Sequence, residues 1–382
     1  MEGIETEEKS MKRERPSGRD REEERDRLSD LPDCVLLHIL KFMDTKYAVQ
    51  TCVLSQRWKN LWKCLTNLKF DRNHFRKTAI FTKFVSSVLC SRNDSISLHS
   101  LDFLCRGFVD PIFLNWIMRY AVLHKIQQLT MHIYIHSYIR GPEFEFIPFI
   151  FSCTSLTSLK VFIRHKSGMI KLPKSLQLPA LKSLHLKHVI FTASNHDCAE
   201  PFSTCKMLNT LVIEGCSLDD GVKVLCISNY NLSSLTICNN YRLSSFENDI
   251  ITLSIPNLNS LTIMRAPIYQ LSFACNLPFL EEVNIDTSYF THPHNTDIVF
   301  ISWLQVLANV KIMTLSCFTL KEILHELLNH SSKTIQPPCF IKLELLKVTK
   351  HSFAIISDDE VIWIVYYLLQ NSPLPRIDVI NC

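Results

Sequence analysis

The stretch LNTLVI (208–213), repeated almost letter for letter as LSSLTI (232–237) and LNSLTI (258–263), decides how the rest of the chain is read. Each hexamer runs apolar, two residues, apolar, one residue, apolar. Its last two apolar positions alternate with polar ones, as in a strand that turns one face to a core and the other to water. The leading leucine anchors the turn into that strand. Seven further copies keep the pattern: LHSLDF (98–103), IQQLTM (126–131), LTSLKV (156–161), LKSLHL (181–186), LEEVNI (280–285), VKIMTL (310–315) and LELLKV (343–348). Their starts fall 22 to 33 residues apart, with a mean near 27. LTNLKF (65–70) reads as an extra copy.

One such strand cannot bury its apolar side alone, so the copies must stack. A motif recurring every 20 to 30 residues or so is the signature of a leucine-rich-repeat solenoid. The expectation is an α/β fold in which residues 98–349 form about ten irregular repeats, with a parallel β-sheet on the concave face. Only Cys216 and Asn240 supply the cysteine or asparagine that regular repeats carry next, so the polar ladder is incomplete. Small polar residues dominate the first outward column (Ser100, Gln128, Ser158, Ser183, Thr210, Ser234, Ser260, Glu282, Ile312, Leu345) and keep that face open. Neighbouring columns place Lys160, His185 and Lys187 together, with Arg164, His165, Lys166 and His188 at the strand ends. Lys160, Arg164, His185 and Lys187 are the candidate contacts for an acidic or phosphorylated target segment. Glu282 and Asp286 make the later face acidic.

Ahead of the repeats the chain changes character twice. Of residues 1–27, eight are Lys or Arg and ten are Asp or Glu, a composition that cannot offset the entropy of ordering. Its KRERPSGRDR (12–21) reads as a polyampholyte rather than an import signal. From Leu28, LSDLPDCVLLHILKFM places Pro32 at a helix start, and Val35, Leu36, Leu37, Ile39, Leu40, Phe42 and Met43 cover most of the helix circumference. A short helix that apolar needs burial on two sides, which calls for a partner. Asp44 and Thr45 can cap a second helix to about Thr51, and Ser55 a third to about Lys63. That third helix, within CVLSQRWKNLW (52–62), would align Leu54, Trp58, Leu61 and Trp62 on one stripe, with Leu61 and Trp62 joining the unit to the first repeat. Residues 28–64 thus read as a three-helix unit, too small to be stable undocked. Residues 65–97 are its junction with the solenoid, and 350–382 the C-terminal cap.

Several chemistries lack their residues. Seven glycines and no G-x-x-x-x-G-K-S/T, G-x-G-x-x-G or G-x-S-x-G leave no phosphate loop or nucleophile elbow. Fifteen cysteines include no C-x-x-C and read as buried small hydrophobes in a reducing compartment. NHDC (195–198) and HPH (292–294) read as polar loops, without a companion cluster at metal spacing. A net charge of +4 is too mild for a nucleic-acid-coating protein. VIWIVYYLL (361–369) is too short to span a membrane, the first residues carry no secretory pattern, and Cys382 lacks the residues that prenylation requires. The expectation is a non-catalytic, cofactor-free binding protein of the cytoplasm or nucleus.

Residues 28–62 resemble an F-box. The matching features are Leu31-Pro32, the Ile39-Leu40 pair on the first helix, and Val53-Leu54-Ser55-Gln56-Arg57-Trp58, in the family's order and spacing. The whole chain is similar to plant F-box/leucine-rich-repeat proteins, and PPCFIKLELLKVTKHSF…EVIWIVYYLLQNSPLPRIDVINC (337–382) resembles the FBD-type segment that often ends them. The resemblance implies a substrate receptor of an SCF-type cullin–RING ubiquitin ligase. Its F-box would bind a Skp-family adaptor, and through it a cullin scaffold, while the repeats bind a protein target. Leu31, Pro32, Ile39, Leu40, Leu54 and Trp58 would then sit at or just beneath the adaptor interface. Two rivals are a repeat scaffold without ligase engagement and a small-molecule-dependent co-receptor of the same architecture.

Overall fold

The computed structural model describes residues 28, 30–107, 109–135, 149–165, 169–195, 197–239, 250–265, 271–287, 300–329, 336–350 and 356–381. Its centre is a twelve-stranded sheet in which every neighbouring pair is parallel and the spatial order follows the chain. The strands are β1 (Asn67–Asp71), β2 (Ser100–Arg106), β3 (Gln128–Ile135), β4 (Ser158–His165), β5 (Ser183–Lys187) and β6 (Thr210–Glu214). They continue as β7 (Ser234–Cys238), β8 (Ser260–Met264), β9 (Glu282–Asp286), β10 (Ile312–Ser316), β11 (Leu345–Lys350) and β12 (Arg376–Asn381). The ten hexamers supply β2 to β11, and LTNLKF supplies β1. β12 carries the same pattern as LPRIDV (374–379), within the segment expected to be the cap, but its leading Leu374 is exposed rather than buried.

Register follows from the period-two pattern. Leu101, Leu129, Leu159, Leu184, Leu211, Leu235 and Leu261 pair side by side, and all are fully buried. A slip of one residue would turn this column to water. Each buried leucine contributes about 1.5–3 kcal/mol, which pins the stack.

What covers the buried side depends on repeat length. Steps of 28 residues or more have room for a helix: α3 (Thr78–Ser91) follows β1, α4 (Pro111–Leu123) follows β2, and α5 (Phe300–Leu304), α6 (Cys317–Asn329) and α7 (Asp358–Leu369) follow β9, β10 and β11. The shorter middle repeats hold two small parallel sheets instead. One comprises residues 170–171, 189–191 and 217–218, the other 198–199, 224–228, 250–254 and 271–273. The strands leave the main sheet alike. His188, Gly215 and Arg265, just beyond β5, β6 and β8, take φ of 58°, 55° and 57°, and each donates its N–H to the last residue of the next strand. Glycine meets that backbone demand without strain at 215.

The N-terminal unit is α1 (Asp33–Lys41), α2 (Thr45–Gln50) and two 3-10 turns, Thr51–Val53 and Leu61–Cys64. Asp44 caps α2, accepting from the Lys46 N–H at 2.9 Å, as its sequence suggests. The third helix expected from Ser55 is absent. The Ser55 hydroxyl has no hydrogen-bond partner among the described residues, and turns occupy 56–60 before the second 3-10 turn. Side chains hold this segment in place of helical hydrogen bonds: Arg57 reaches Asp33 Oδ1 through Nε at 2.8 Å and also donates to the Leu31 carbonyl, while Trp58 enters the core.

The cysteines depart from expectation. Among the described residues only Cys105, Cys153, Cys205, Cys216 and Cys317 are buried, and Cys34, Cys90 and Cys339 are exposed. Alternation explains several of the rest, since Cys226 and Cys238 occupy outward strand positions.

Candidate functional site

The residues singled out by the sequence lie on two surfaces of this fold. The first is on α1. Leu36 and Leu40, one turn apart, point into the core, where Trp58 and Leu61 join them. Val35, Ile39 and Phe42 recur at helical spacing on another face and are exposed, Phe42 by 74 %. Val53 and Leu54, at the end of the first 3-10 turn, are exposed by 83 % and 61 %. The six residues expected at the adaptor surface therefore divide. Pro32, Ile39 and Leu54 face solvent, and Leu31 is half-buried against the core. Leu40 and Trp58, 1 % and 4 % exposed, offer a partner no surface and form the floor beneath it. Val35, Phe42 and Val53 were not in that set. For Val35 and Phe42 the signal was the surplus of apolar residues along α1 and its end, more than one buried face can absorb.

Hydrogen bonds tie the unit to the repeats. The buried Thr45 accepts the Lys69 N–H of β1 at 2.8 Å, and Lys46 Nζ donates to the His74 carbonyl at 2.7 Å. Arg92, itself buried, donates to the carbonyls of Leu65 and Ser97, both at 2.8 Å. Leu61 is buried at this junction, and Trp62 packs half-buried against the core with Lys63 Nζ 5.8 Å from its ring centre.

The second surface is the outward face of β3 to β6. Lys160 and Arg164 are exposed on β4, and His185 and Lys187 are half-buried on β5. The structure brings all four onto one face but does not leave them equivalent. Lys187 forms an ion pair with Glu214 on β6, and His185 Nε2 lies 3.6 Å from the other carboxylate oxygen. His185 and Lys187 hold the Glu214 carboxyl down at about 2. The expected basic patch is thus partly neutralised by a residue 27 positions beyond Lys187. Burial pushes His132 and His188 below the usual imidazole range, so both remain neutral near pH 7. Lys166 and the side chain of His165 lie outside the described residues, as do His196, Asn240, the pair His292 and His294, and the tail 1–27.

Among the described residues no three His, Cys, Asp or Glu converge as metal ligands, and no helix is long and apolar enough to cross a membrane. In the NHDC segment, the Asp197 carbonyl accepts from the N–H groups of Lys223 and Val224, so that loop is stitched to the adjoining strand.

Comparison with known proteins agrees with this geometry. Residues 28–70 match the F-box domain, and residues 114–329 match the family described as FBD-associated F-box protein At5g56370, LRR repeats. The F-box match runs past Cys64 into β1. F-box/LRR-repeat protein 13 of Arabidopsis thaliana is 31 % identical over 67 % of this chain and 55 % of its own length. The F-box/FBD/LRR-repeat protein At1g78750 of the same plant is 29 % identical over 69 % of this chain and 58 % of its own. The chain thus spans little more than half the length of these curated relatives. With an F-box on its first helices and FBD-associated repeats over more than half its residues, the chain belongs to the F-box/LRR-repeat proteins.

Proposed function

We propose that this protein is the substrate-receptor subunit of an SCF-type ubiquitin ligase, working in the cytoplasm or nucleus. Its F-box holds a Skp-family adaptor, and the outward face of its sheet holds the protein to be modified. The observation that carries this reading is the exposed row Val35, Ile39 and Phe42 above a floor of Leu36, Leu40 and Trp58. An apolar row of this kind is costly in water and marks a protein-binding surface. The chain performs no bond chemistry in this role. It raises the local concentration of target lysines at the conjugating enzyme, and the firm junction at Thr45 and Arg92 fixes how the target is presented.

Co-purification with a Skp-family adaptor tests the reading. Phe42→Glu with Val35→Glu should abolish capture while the folded content, followed by circular dichroism, is unchanged. Undiminished capture by this variant would exclude the α1 row as the adaptor surface and leave a repeat scaffold without ligase engagement.

A further inference from the structure

On β4 the alternate residues Lys160, Phe162 and Arg164 turn outward together, about 7 Å apart at each step. The row is a cation, an aromatic ring and a second cation on one straight edge. The ring is braced from both sides. His132 on β3 stacks on Phe162 with centroids 4.1 Å apart, and His185 on β5 meets it edge-on at 4.4 Å. Tyr134, the partner of Arg164 in register, extends the aromatic surface. Among the described residues of the twelve strands, only β3 and β4 turn a Phe, Tyr or Trp outward. Everywhere else that face is small, aliphatic or charged.

Glu214 decides which cations are available. It engages Lys187 and lies beside His185, whereas Lys160 and Arg164 have no carboxylate partner among the described residues. Asp102 lies outward two strands to one side of Lys160, and Glu214 two strands to the other side of Phe162. On the β2 side Arg106, also outward, sits over the Tyr134 ring with its guanidinium carbon 5.6 Å from the centroid, so Lys160 and Arg164 are the cations that lie along β4 itself. A phosphodiester chain crossing the sheet at the level of Lys160 would meet Asp102 and one crossing at Phe162 would meet Glu214, while an extended peptide running along β4 meets neither.

We propose that this row binds an extended segment of the target in which acidic, apolar and acidic residues occupy alternate positions. Such a segment has the same two-residue period as β4. Its carboxylates fall over Lys160 and Arg164, and its apolar side chain falls on the Phe162 ring between them. Glu214 acts as a positioning residue, holding His185 against that ring and withdrawing Lys187 from competition. The inference rests on the reading of the repeat sheet as the target-binding surface, and it names the chemistry of the target.

The test uses the full chain and a fluorescein-labelled peptide bearing Glu-Thr-Phe-Thr-Glu, followed by fluorescence anisotropy. The peptide should bind saturably. Lys160→Ala with Arg164→Ala should weaken it at least tenfold, as should Phe162→Ala or reordering the peptide to Glu-Glu-Thr-Thr-Phe. Glu214→Gln, which releases Lys187 and His185, should narrow the difference between the two peptide orders, and an unchanged difference would remove the positioning role of Glu214. Equal binding of the reordered peptide, indifference to the Lys160 and Arg164 changes, or tighter binding of an oligothymidylate would each overturn the proposal. Adaptor capture measured on the same preparations keeps the two readings apart. Loss of the peptide signal with capture intact removes this site alone, and loss of capture with peptide binding intact removes the ligase role alone.

Discussion

Replacing Glu326 with Gln isolates a destabilising charge inside the C-terminal repeats. Glu326 lies on α6, is 9 % exposed, and accepts the Ile301 N–H of the first turn of α5 at 3.3 Å through Oε2. Its other oxygen is buried with no partner among the described residues. Burial pushes its pKa up to about 7, against a smaller opposing pull from the N–H groups of Ile301 and Phe300. The sign follows from proton binding. Below the unfolded value near 4.5 both states hold the proton and nothing is lost. Between there and about 7 the folded state keeps a proton that the unfolded chain has released, so stability falls as pH rises. A displacement of roughly 2.5 pH units corresponds to about 3 kcal/mol, lost in full above pH 7 or so. Glu326→Gln keeps the acceptor for Ile301 and cannot ionise. Urea unfolding of parent and variant, followed by tryptophan fluorescence at pH 5, 6, 7 and 8, should give curves that diverge with pH, the variant being favoured by about 2–3 kcal/mol at pH 8. The difference between the two proteins cancels titrations elsewhere. Curves that stay parallel to within about 0.5 kcal/mol across this range would refute the reasoning.

Three further outcomes follow from the geometry. Leu40→Ala should destabilise the F-box by about 2–5 kcal/mol through the cavity it leaves, whereas Phe42→Ala should leave its melting unchanged and weaken adaptor binding alone; differential scanning fluorimetry beside a pull-down separates the two. Thr45→Val removes the acceptor of the Lys69 N–H within the F-box–β1 contact, costing about 1–3 kcal/mol, and limited proteolysis should then cut near residues 64–66 at lower protease concentration. Gly215→Ala places a side chain at a φ of 55° and should cost about 1–2 kcal/mol in thermal unfolding, a loss that Gly107→Ala, far from β6, would not mimic in hydrogen exchange at β6 and β7.

Much of the fold was legible because its signals are local. The hexamers carry their own strand pattern, so β2 to β11 and their burial could be placed residue by residue, and Asp44 announces α2 through its own side chain. The backing layer was less legible. Alternation in VLCIS (224–228) and IITLS (250–254) does mark strands, but it is weaker than the hexamers beside it and was passed over. The stretch SQRWKNLW failed as a helix because Arg57 is held by Asp33 and the Leu31 carbonyl, more than twenty residues earlier, while Trp58 is drawn into the core, and no local rule sees either.

The candidate surfaces show the same division. The sequence by itself determined that α1 carries more apolar residues than one buried face can use, and that Lys160, Arg164, His185 and Lys187 share an outward face. Both are matters of period, and period is written in the order of residues. Tertiary structure alone decided which members of each set are available. Leu40 and Trp58 are spent on the core because the F-box folds back on itself. Lys187 is spent on Glu214, with His185 drawn alongside, because stacking sets one repeat against the next in a fixed register. Burial and ion pairing depend on which distant residues the fold brings near, and that follows from the packing of whole repeats.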